Sequence, residues 1–360
     1  MRRTNPGAPA RLAMAIGLAL LAVWSFASAP AQAAPYAALV MDARTGEVVY
    51  AENADTRLHP ASLTKMMTLY LAIEAVKEGR LKLDQTVKVS ALAARQPPSR
   101  IGLRTGERVT IRNLMRAAAV KSANDAATAL AEATAGSVDA WAKMATAKAR
   151  ILGMPNTTFK NPHGLTEAGH LSTARDMATL GRRLFFDHPE YYNLFSRKQT
   201  TAMGKTVYAT NRRLLSSYPG ADGIKTGYTR AAGFNLVSSA HRGDQRVIAA
   251  VFGARSSADR TQRIARLMDM GFSKTPRVAK VIPPASVTAG TLVAAAPVPE
   301  ERPAPPQSLL ARVGQAIAPA AAHAAGRDAG TRYAPRVAGL PAARPATEFG
   351  LAMELPPRRP

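Results

Sequence analysis

The stretch PASLTKMMTLYLAIEAV, residues 60–76, joins a short Pro-Ala-Ser opening to a strongly apolar continuation. A helix at a protein surface carries its apolar side chains along one stripe, whereas here they fall on most faces. The apolar positions are Leu63, Met66, Met67, Leu69, Leu71, Ile73 and Val76. The stretch therefore predicts a long, buried helix. Residues three apart on a helix share a face, so Ser62 and Lys65 are expected to lie side by side at its start.

Strand-like segments lie at both ends of the region around this helix. Residues 36–41 and 47–50 flank a turn at 42–46, which predicts a hairpin. Three later strands are predicted at 223–228, 234–239 and 247–252, followed by a helix at 256–270. Helical patterns dominate between them, at 111–119, 125–135, 138–152 and 173–186. This order predicts an α+β fold, with one antiparallel sheet flanked by helices and an inserted helical lobe.

The N-terminus has the layout of a secretory signal peptide. Arg2, Arg3 and Arg11 precede an apolar run at 12–26, and small residues follow at 29–33. This pattern predicts export and cleavage after Ala33, hence a periplasmic location in a Gram-negative host, either free or peripheral to the inner membrane. An uncleaved anchor helix is the alternative, because the apolar run is nearly long enough to span a bilayer.

Composition excludes several classes of protein. The chain has no cysteine, which rules out disulfides, a cysteine nucleophile and thiolate metal sites. Its formal net charge is +24. The leader contributes three arginines, and the residues from Pro276 onward contribute ten basic and five acidic side chains, so the middle of the chain carries a net charge of +16. Such a charge favours anionic partners such as wall polymers or lipid headgroups. Nucleic acid is not expected, because export argues against it and no basic run interleaves with aromatic residues.

The composition changes to Ala, Pro and Arg beyond Thr275. Such a segment buries too little apolar surface to offset chain ordering, so residues 276–360 are predicted to form a disordered tail. Within it, residues 308–318 show a helical spacing of apolar side chains. We expect a short nascent helix there, with weak peripheral membrane contact as the alternative.

Ser62 and Lys65 are the residue types that a serine acyltransferase needs at its nucleophile. A serine hydroxyl attacks only after a base removes its proton. Lysine can be that base when burial and nearby cations lower its pKa, and Lys225 is one candidate cation. The structural alternative is that Ser62 caps the helix and Lys65 is solvated.

Two further motifs supply the remaining groups. Ser122 and Asn124 lie two residues apart between predicted helices, so a hydroxyl that relays a proton and an amide that both donates and accepts can face one cleft. The alternative is a capping role at the following helix, for which Asn124 or Asp125 is suited. Lys225 and Thr226, on a predicted strand, can bind a carboxylate, and Gly227 leaves room for substrate along the strand edge. The backbone N–H groups of Ser62 and Tyr228 can form an oxyanion hole.

Together these motifs resemble the three signatures of penicillin-binding D,D-peptidases and serine β-lactamases. The flanking sequences PASLTKMMT, KSANDAA, NPHGL and DGIKTGYT are similar to the low-molecular-mass D-alanyl-D-alanine carboxypeptidases of peptidase family S11. The resemblance runs from residue 36 to 272. It implies a β-lactamase/D,D-peptidase-like fold for a catalytic domain at 34–275, between the signal peptide (1–33) and the tail.

The resemblance also implies a role for each residue. Ser62 attacks the bond between two D-alanines of a peptidoglycan stem peptide, Lys65 is the base and Ser122 relays the proton. Asn124 positions the substrate, and Lys225 and Thr226 hold its terminal carboxylate. Water then cleaves the acyl-enzyme, penicillins acylate Ser62, and no cofactor or metal takes part.

Two departures and four alternatives accompany this resemblance. The residue after Lys-Thr-Gly is often histidine in the family but is Tyr228 here, and the tail resembles neither the small β-rich domain nor the amphipathic anchor of many members. A D,D-endopeptidase that cuts cross-links uses the same groups. A β-lactamase is disfavoured because no extra glutamate is evident, and a zinc peptidase because His163 and His170 lack the His-Glu-x-x-His spacing. A non-catalytic wall-binding protein is the fourth alternative.

Overall fold

The computed structural model describes residues 34–286. The predicted signal peptide and most of the predicted tail, including the helix expected at 308–318, lie outside these residues. None of the helices within 34–286 is long and apolar enough to cross a membrane.

The described strands form one large sheet and two small hairpins. Their bounds are β1 Ala37–Asp42, β2 Val48–Glu52, β3 Thr86–Lys88, β4 Arg108–Thr110, β5 Gln199–Ala202, β6 Lys205–Tyr208, β7 Ala221–Thr229, β8 Gly233–Arg242 and β9 Gln245–Ala254. The large sheet has the antiparallel order β2-β1-β9-β8-β7, so β7 is a free edge. The predicted α+β fold with an antiparallel sheet is confirmed. The hairpins β3–β4 and β5–β6 were not predicted, because strands of three or four largely polar residues have little apolar alternation.

The helices supply both a lobe beside the sheet and a layer behind it. Their bounds are α1 Lys65–Lys77, α2 Ala91–Ala94, α3 Ile111–Arg116, α4 Asn124–Ala135, α5 Val138–Ile151, α6 Ala174–Asp187, α7 Asn193–Ser196, α8 Arg212–Ser217 and α9 Ser257–Lys274. A 3₁₀ turn at Ala61–Thr64 precedes α1, another lies at Pro189–Tyr191, and a π-helical segment at Ala117–Lys121 continues α3. The helix predicted at 111–119 therefore changes to π geometry before Ser122.

Two apolar clusters hold these layers together, and strand alternation separates them. In β1, Leu39 and Met41 face the cluster that contains α1, α4 and α6, while Ala38 and Val40 face α9. Helix α1 lies inside the first cluster, and ten of its thirteen residues are buried. The prediction of a buried helix is thus confirmed, and α1 provides a rigid base for the residues that precede it.

The chain continues in contact with the domain past Thr275, although residues 276–286 were expected to belong to the tail. Arg44 donates to the carbonyl oxygens of Pro276 (2.6 Å) and Arg277 (3.1 Å). Arg182 donates to the carbonyl of Ile282, and Arg183 donates to that of Ala285. We call residues 276–286 the C-terminal strap. Composition did not predict it, because it is held through its backbone by arginines that are distant in the sequence.

Candidate active site

The 3₁₀ turn places Ser62 on the wall of a cleft, and α1 begins with Lys65, which is buried beside it. Ala61, immediately before Ser62, has a φ of 50°, a left-handed conformation that few non-glycine residues adopt. Gly164 packs against this turn with a φ of +86°, and a Cβ there would lie 1.8 Å from the carbonyl oxygen of Ala61. Only glycine therefore fits at this position, and the loop at 161–167 lies directly against the turn that carries Ser62.

Lys65 is completely buried, and its Nζ contacts three oxygen atoms. It lies 3.0 Å from Ser62 Oγ, 2.7 Å from Asn124 Oδ1 and 2.7 Å from the carbonyl oxygen of His163. None of these acceptors is an anion. Burial, reinforced by the positive charge of Lys225, holds the pKa of Lys65 well below its usual range. A neutral Lys65 amine can accept the Ser62 proton, which makes it suited to act as the base.

Lys225 is also buried, at 1% exposure, and its Nζ donates to the carbonyl oxygen of Thr226 at 3.1 Å. Burial, with a smaller contribution from the charge of Arg260, lowers the pKa of Lys225 to about 7. Lys225 does not line the cleft, whereas Thr226 and Arg260 do. In this geometry Lys225 acts on Lys65 and on the cleft through its charge.

Ser122 and Asn124 lie where the π-helical segment meets α4. Ser122 has a left-handed backbone, with φ 62° and ψ 35°, and it lines the same cleft as Ser62. Asn124 accepts from Lys65 through Oδ1, while its Nδ2 donates to the carbonyl of Pro97 at 2.8 Å. Asn124 therefore uses both ends of its amide, as expected from the sequence, and it joins the base to the loop on the far side of the cleft.

Asp125 holds that loop in position. Its carboxylate is fully buried and accepts from the backbone N–H groups of Ile101, Gly102 and Leu103 at 2.8–3.1 Å. The structure does not show the alternative role of Asn124 or Asp125 as the helix cap: Ala123 is the N-cap residue without a side-chain hydrogen bond, and Asp125 accepts from Ala126 N at 2.9 Å within the first turn. The loop contact was not anticipated, because its donors lie more than twenty residues away.

Gly227 allows β7 to approach the nucleophile turn. A Cβ at this position would lie 2.8 Å from the carbonyl oxygen of Pro60 and 3.1 Å from the backbone nitrogen of Ser62. The sequence indicated that Gly227 leaves room for substrate, whereas in the structure its missing side chain leaves room for the Ser62 turn itself. This close contact brings the backbone of β7 beside the Ser62 N–H, as an oxyanion hole built from Ser62 and Tyr228 requires.

The cleft has a volume of about 360 Å³. Tyr228 is 55% exposed on its rim, with its ring centroid 4.3 Å from that of Phe234. Arg260 reaches the cleft from α9 at 6% exposure, and burial lowers its pKa to about 10, so it stays charged at neutral pH. Its Nη2 donates to Ser257 Oγ at 3.1 Å, and its Nε has no hydrogen-bond partner among the described residues. Arg260 has no acidic partner among residues 34–286 and lines the cleft, so its charge can attract an anionic substrate group.

His163 and His170 are structural residues. The Nδ1 atom of His170 accepts from Lys160 N at 3.1 Å, which leaves its Nε2 to donate to Thr64 Oγ1 at 2.8 Å. His163 Nδ1 accepts from Leu165 N at 3.2 Å. Burial lowers the pKa of each histidine to about 3, so both stay neutral. Within residues 34–286 no group of three or more His, Asp or Glu side chains is placed to hold a metal ion.

The fold thus brings the predicted site residues from three separate regions to one place. Ser62, Ser122, Asn124, Thr226, Gly227 and Tyr228 line the cleft, and Lys65 and Lys225 lie buried beside it. Sequence reasoning missed Arg260, Asp125 and the loop at 97–103. No motif marks Arg260, which is one of several arginines on an amphipathic helix.

Known proteins are similar to this chain in sequence and in fold. The profile of peptidase family S11, described as D-alanyl-D-alanine carboxypeptidase, matches residues 25–256. The D-alanyl-D-alanine carboxypeptidase DacF of Bacillus subtilis is 39% identical over 242 residues, which cover 66% of this chain and 62% of the relative.

Two solved structures are similar at a comparable level. Penicillin binding protein 5 from Haemophilus influenzae superposes with a TM-score of 0.64 and 34% identity, covering 68% of this chain and 73% of that one. Penicillin-Binding Protein D2 from Listeria monocytogenes, in its cefotaxime-bound form, superposes with a TM-score of 0.60 and 35% identity, covering 66% and 96%.

The chain therefore spans less than two thirds of the length of the Bacillus relative, while the profile match covers well over half of the chain itself. The matched region contains the Ser62, Ser122 and Lys225 motifs, which meet at the cleft. This chain belongs to the D-alanyl-D-alanine carboxypeptidase family of serine peptidases, peptidase family S11.

Proposed function

We propose that the protein is a serine D,D-carboxypeptidase that removes the terminal D-alanine from peptidoglycan stem pentapeptides through a Ser62 acyl-enzyme. One observation carries this proposal: a buried Lys65 amine with a lowered pKa lies 3.0 Å from Ser62 Oγ. A lysine in a purely structural role would be paired with an acid or solvated. Lys65 is instead held by neutral acceptors beside a nucleophile.

The first half of the reaction forms the acyl-enzyme. Lys65 takes the Ser62 proton as Oγ attacks the carbonyl carbon between the two D-alanines. The backbone N–H groups of Ser62 and Tyr228 stabilise the oxyanion, and such donors are worth roughly 10² to 10³ in rate each. Ser122 relays the proton held by Lys65 to the leaving amine, which releases D-alanine and returns Lys65 to its neutral form. Water then hydrolyses the ester, with Lys65 again acting as the base.

A charged site beside the nucleophile favours a substrate that ends in a free carboxylate. Thr226 and Arg260 line the cleft, and the charge of Lys225 lies directly behind them. Arginine presents a planar pair of donors that matches a carboxylate. A D,D-endopeptidase uses the same groups, so this cluster fits both activities, and measurement of the released product separates them.

The same groups account for inhibition by β-lactams. A penicillin carries a carboxylate next to a strained amide, so Ser62 attacks it while Thr226 and Arg260 hold the carboxylate. The Listeria relative has been crystallised with cefotaxime bound. We infer the same class of inhibitor for this chain.

The cellular setting follows from the sequence and from the substrate. The signal-peptide pattern of residues 1–33 supports export, and the substrate is found in the cell wall, where its trimming contributes to wall synthesis and cell shape. In a Gram-negative host this location is the periplasm. Weak peripheral membrane contact through the tail is part of the same proposal. The positive charge of the chain favours such anionic surroundings.

The test combines acylation with product release. Intact mass of the purified mature protein is measured with and without a penicillin, and free D-alanine is measured after incubation with a stem pentapeptide. We expect an increase by one drug mass and D-alanine release, both absent in Ser62→Ala.

The other outcomes separate the alternatives. Labelling without release, together with cleavage of cross-linked dimers, would establish the endopeptidase. Absence of labelling in a folded protein would refute the enzymatic proposal and leave a wall-binding protein.

A further inference from the structure

A second cavity lies beside α3, and it shares no lining residue with the catalytic cleft. Its volume is about 360 Å³, within the range of small-molecule sites. Its lining includes Arg112, Met115, Arg116, Tyr191, Leu194 and Arg197. They come from α3 and from the segment around α7, so the cavity is formed where two separate parts of the helical lobe meet. We call it the α3 cavity.

Two guanidinium groups in the α3 cavity are not neutralised. Arg116 and Arg197 are both half-buried, and neither forms an ion pair with an acid among residues 34–286. Their hydrogen bonds are long and go to neutral acceptors: Arg116 to the carbonyl of Thr201 at 3.4 Å, and Arg197 to Thr200 Oγ1 at 3.4 Å and Asn193 Oδ1 at 3.2 Å. Most of their donor capacity is therefore unused.

The remaining charged groups of the cavity already have partners. Arg112 forms two hydrogen bonds of 2.8 Å with Asp84, and Glu190 lies 3.0 Å from Lys77. Burial and the positive charge of Arg116 both lower the pKa of Arg197. Two like charges thus lie close together in a partly desolvated cavity, an arrangement that costs free energy in the absence of an anion.

We propose that the α3 cavity binds a phosphate monoester with an apolar or aromatic body. A phosphate monoester carries up to two negative charges at neutral pH and three acceptor oxygens, so it can neutralise Arg116 and Arg197 together. A carboxylate carries one charge and neutralises one of them. Met115, Leu194 and Tyr191 provide the apolar walls that the organic part of the ligand requires.

The structural alternative is that the two arginines are merely solvated. It does not explain why they lie together in a cavity with apolar walls, where arginine loses hydration without gaining an acid partner. The ligand can come from two sources that share this chemistry, a soluble phosphorylated molecule or the headgroup of a phospholipid, and the experiment distinguishes them.

The experiment is calorimetric titration of the full mature chain with phenyl phosphate, inorganic phosphate and benzoate. We expect saturable binding of phenyl phosphate, and binding of benzoate weaker by about tenfold, because one charge-assisted contact is lost. In R116Q/R197Q we expect phenyl phosphate binding weaker by at least about tenfold. The control R104Q/R266Q removes the same charge from two exposed positions outside the cavity and should stay within about twofold of wild type.

Acylation of Ser62 by a penicillin verifies that each variant is folded, since no substituted residue lines the catalytic cleft. Flotation with phosphatidylcholine vesicles, with or without phosphatidic acid, identifies the source of the ligand. Binding of wild type but not R116Q/R197Q to the phosphatidic acid vesicles assigns a lipid headgroup, and binding of phenyl phosphate alone assigns a soluble ligand.

Three results would overturn the proposal: no saturable binding of any probe, an equal loss in both double variants, or tighter binding of benzoate than of phenyl phosphate. An equal loss would mean that the net charge of the protein attracts the anions diffusely. Tighter binding of benzoate would exclude the phosphate assignment.

Discussion

Charged side chains are buried near both edges of the central sheet, which we call the β1–β2 side and the β7 side, but their hydrogen-bond partners differ. On the β1–β2 side, Arg44 donates to both carboxylate oxygens of Asp42, at 3.0 and 2.7 Å, and the hydrogen bond to Asp42 raises the pKa of Arg44. On the β7 side, Lys65 and Lys225 are equally buried, have only neutral acceptors, and have lowered pKa values. Burial alone therefore does not identify a functional charge.

The comparison separates a buried cation that stabilises the fold from a buried cation that can take part in the reaction. A buried, paired charge is costly to break, because removal of one partner leaves the other unneutralised. A buried cation without an anion gives up its proton readily and can act as a base or attract an anionic substrate. Substitutions on the two sides should consequently affect different measurements, stability in one case and activity in the other.

The largest expected effect is on the β7 side. Lys65→Met should slow acylation by a penicillin by about 10² to 10⁴, because the general base is removed. The melting temperature should stay close to that of wild type, since removal of a desolvated amine offsets the loss of the donor to Asn124 Oδ1 and the His163 carbonyl. Stopped-flow acylation and thermal unfolding check the two parts. A large loss of stability at unchanged acylation rate would contradict the comparison.

Arg44→Met should give the opposite pattern. We expect a loss of about 3–5 kcal/mol in the free energy of unfolding, because Asp42 is left buried and unpaired. The strap also loses its contacts at Pro276 and Arg277. Urea denaturation measures the loss, and acylation of the folded variant should proceed at the wild-type rate. The double variant D42L/R44M should recover part of the stability, and failure to do so would argue against the ion pair as the cause.

Arg260→Gln tests whether the Arg260 guanidinium binds the carboxylate of the substrate. The KM for a peptide ending in a free carboxylate should rise about 10- to 100-fold, as expected for loss of a charged hydrogen bond. The KM for the corresponding C-terminal amide should change little. Arg263→Gln is the matched control, since Arg263 lies on the same helix but pairs with Asp259 at 2.7 Å. Equal effects on both peptides would exclude Arg260 from carboxylate binding.

The smallest expected effect is the pH dependence from Lys225. With its pKa at about 7, Lys225 is charged below that pH and loses its charge as pH rises. The KM for the carboxylate peptide should accordingly increase by about tenfold as pH rises from 6 to 8, the size of an electrostatic contribution near one pKa unit. The KM profile of Lys225→Gln should be flat over this range. An alkaline limb that persists in Lys225→Gln would assign it to another group.

Much of the fold followed from local pattern. The strands β7–β9 and the helices α4, α5 and α6 begin and end within three residues of their predicted positions, because short apolar runs and period-3.6 patterns mark the segments that the core buries. The short hairpins and the π-helical segment were not predicted, since a few polar residues take their conformation from neighbours that are distant in the sequence. The C-terminal strap was missed for the same reason.

By itself the sequence determined the reacting groups and their order along the chain. Ser62 and Lys65 share a face because they are three residues apart at the start of a helix, and the three motifs together indicate serine acyl transfer. Only the tertiary structure decided which charges act together. The pKa of Lys65 depends on burial by α1, α4 and the 161–167 loop, and on Lys225, which lies 160 residues further along the chain. Electrostatic effects depend on distance and desolvation in space, so a linear pattern does not contain them. Arg260 is the clearest case, because an arginine on an amphipathic helix becomes a candidate ligand only once the fold buries it in the cleft.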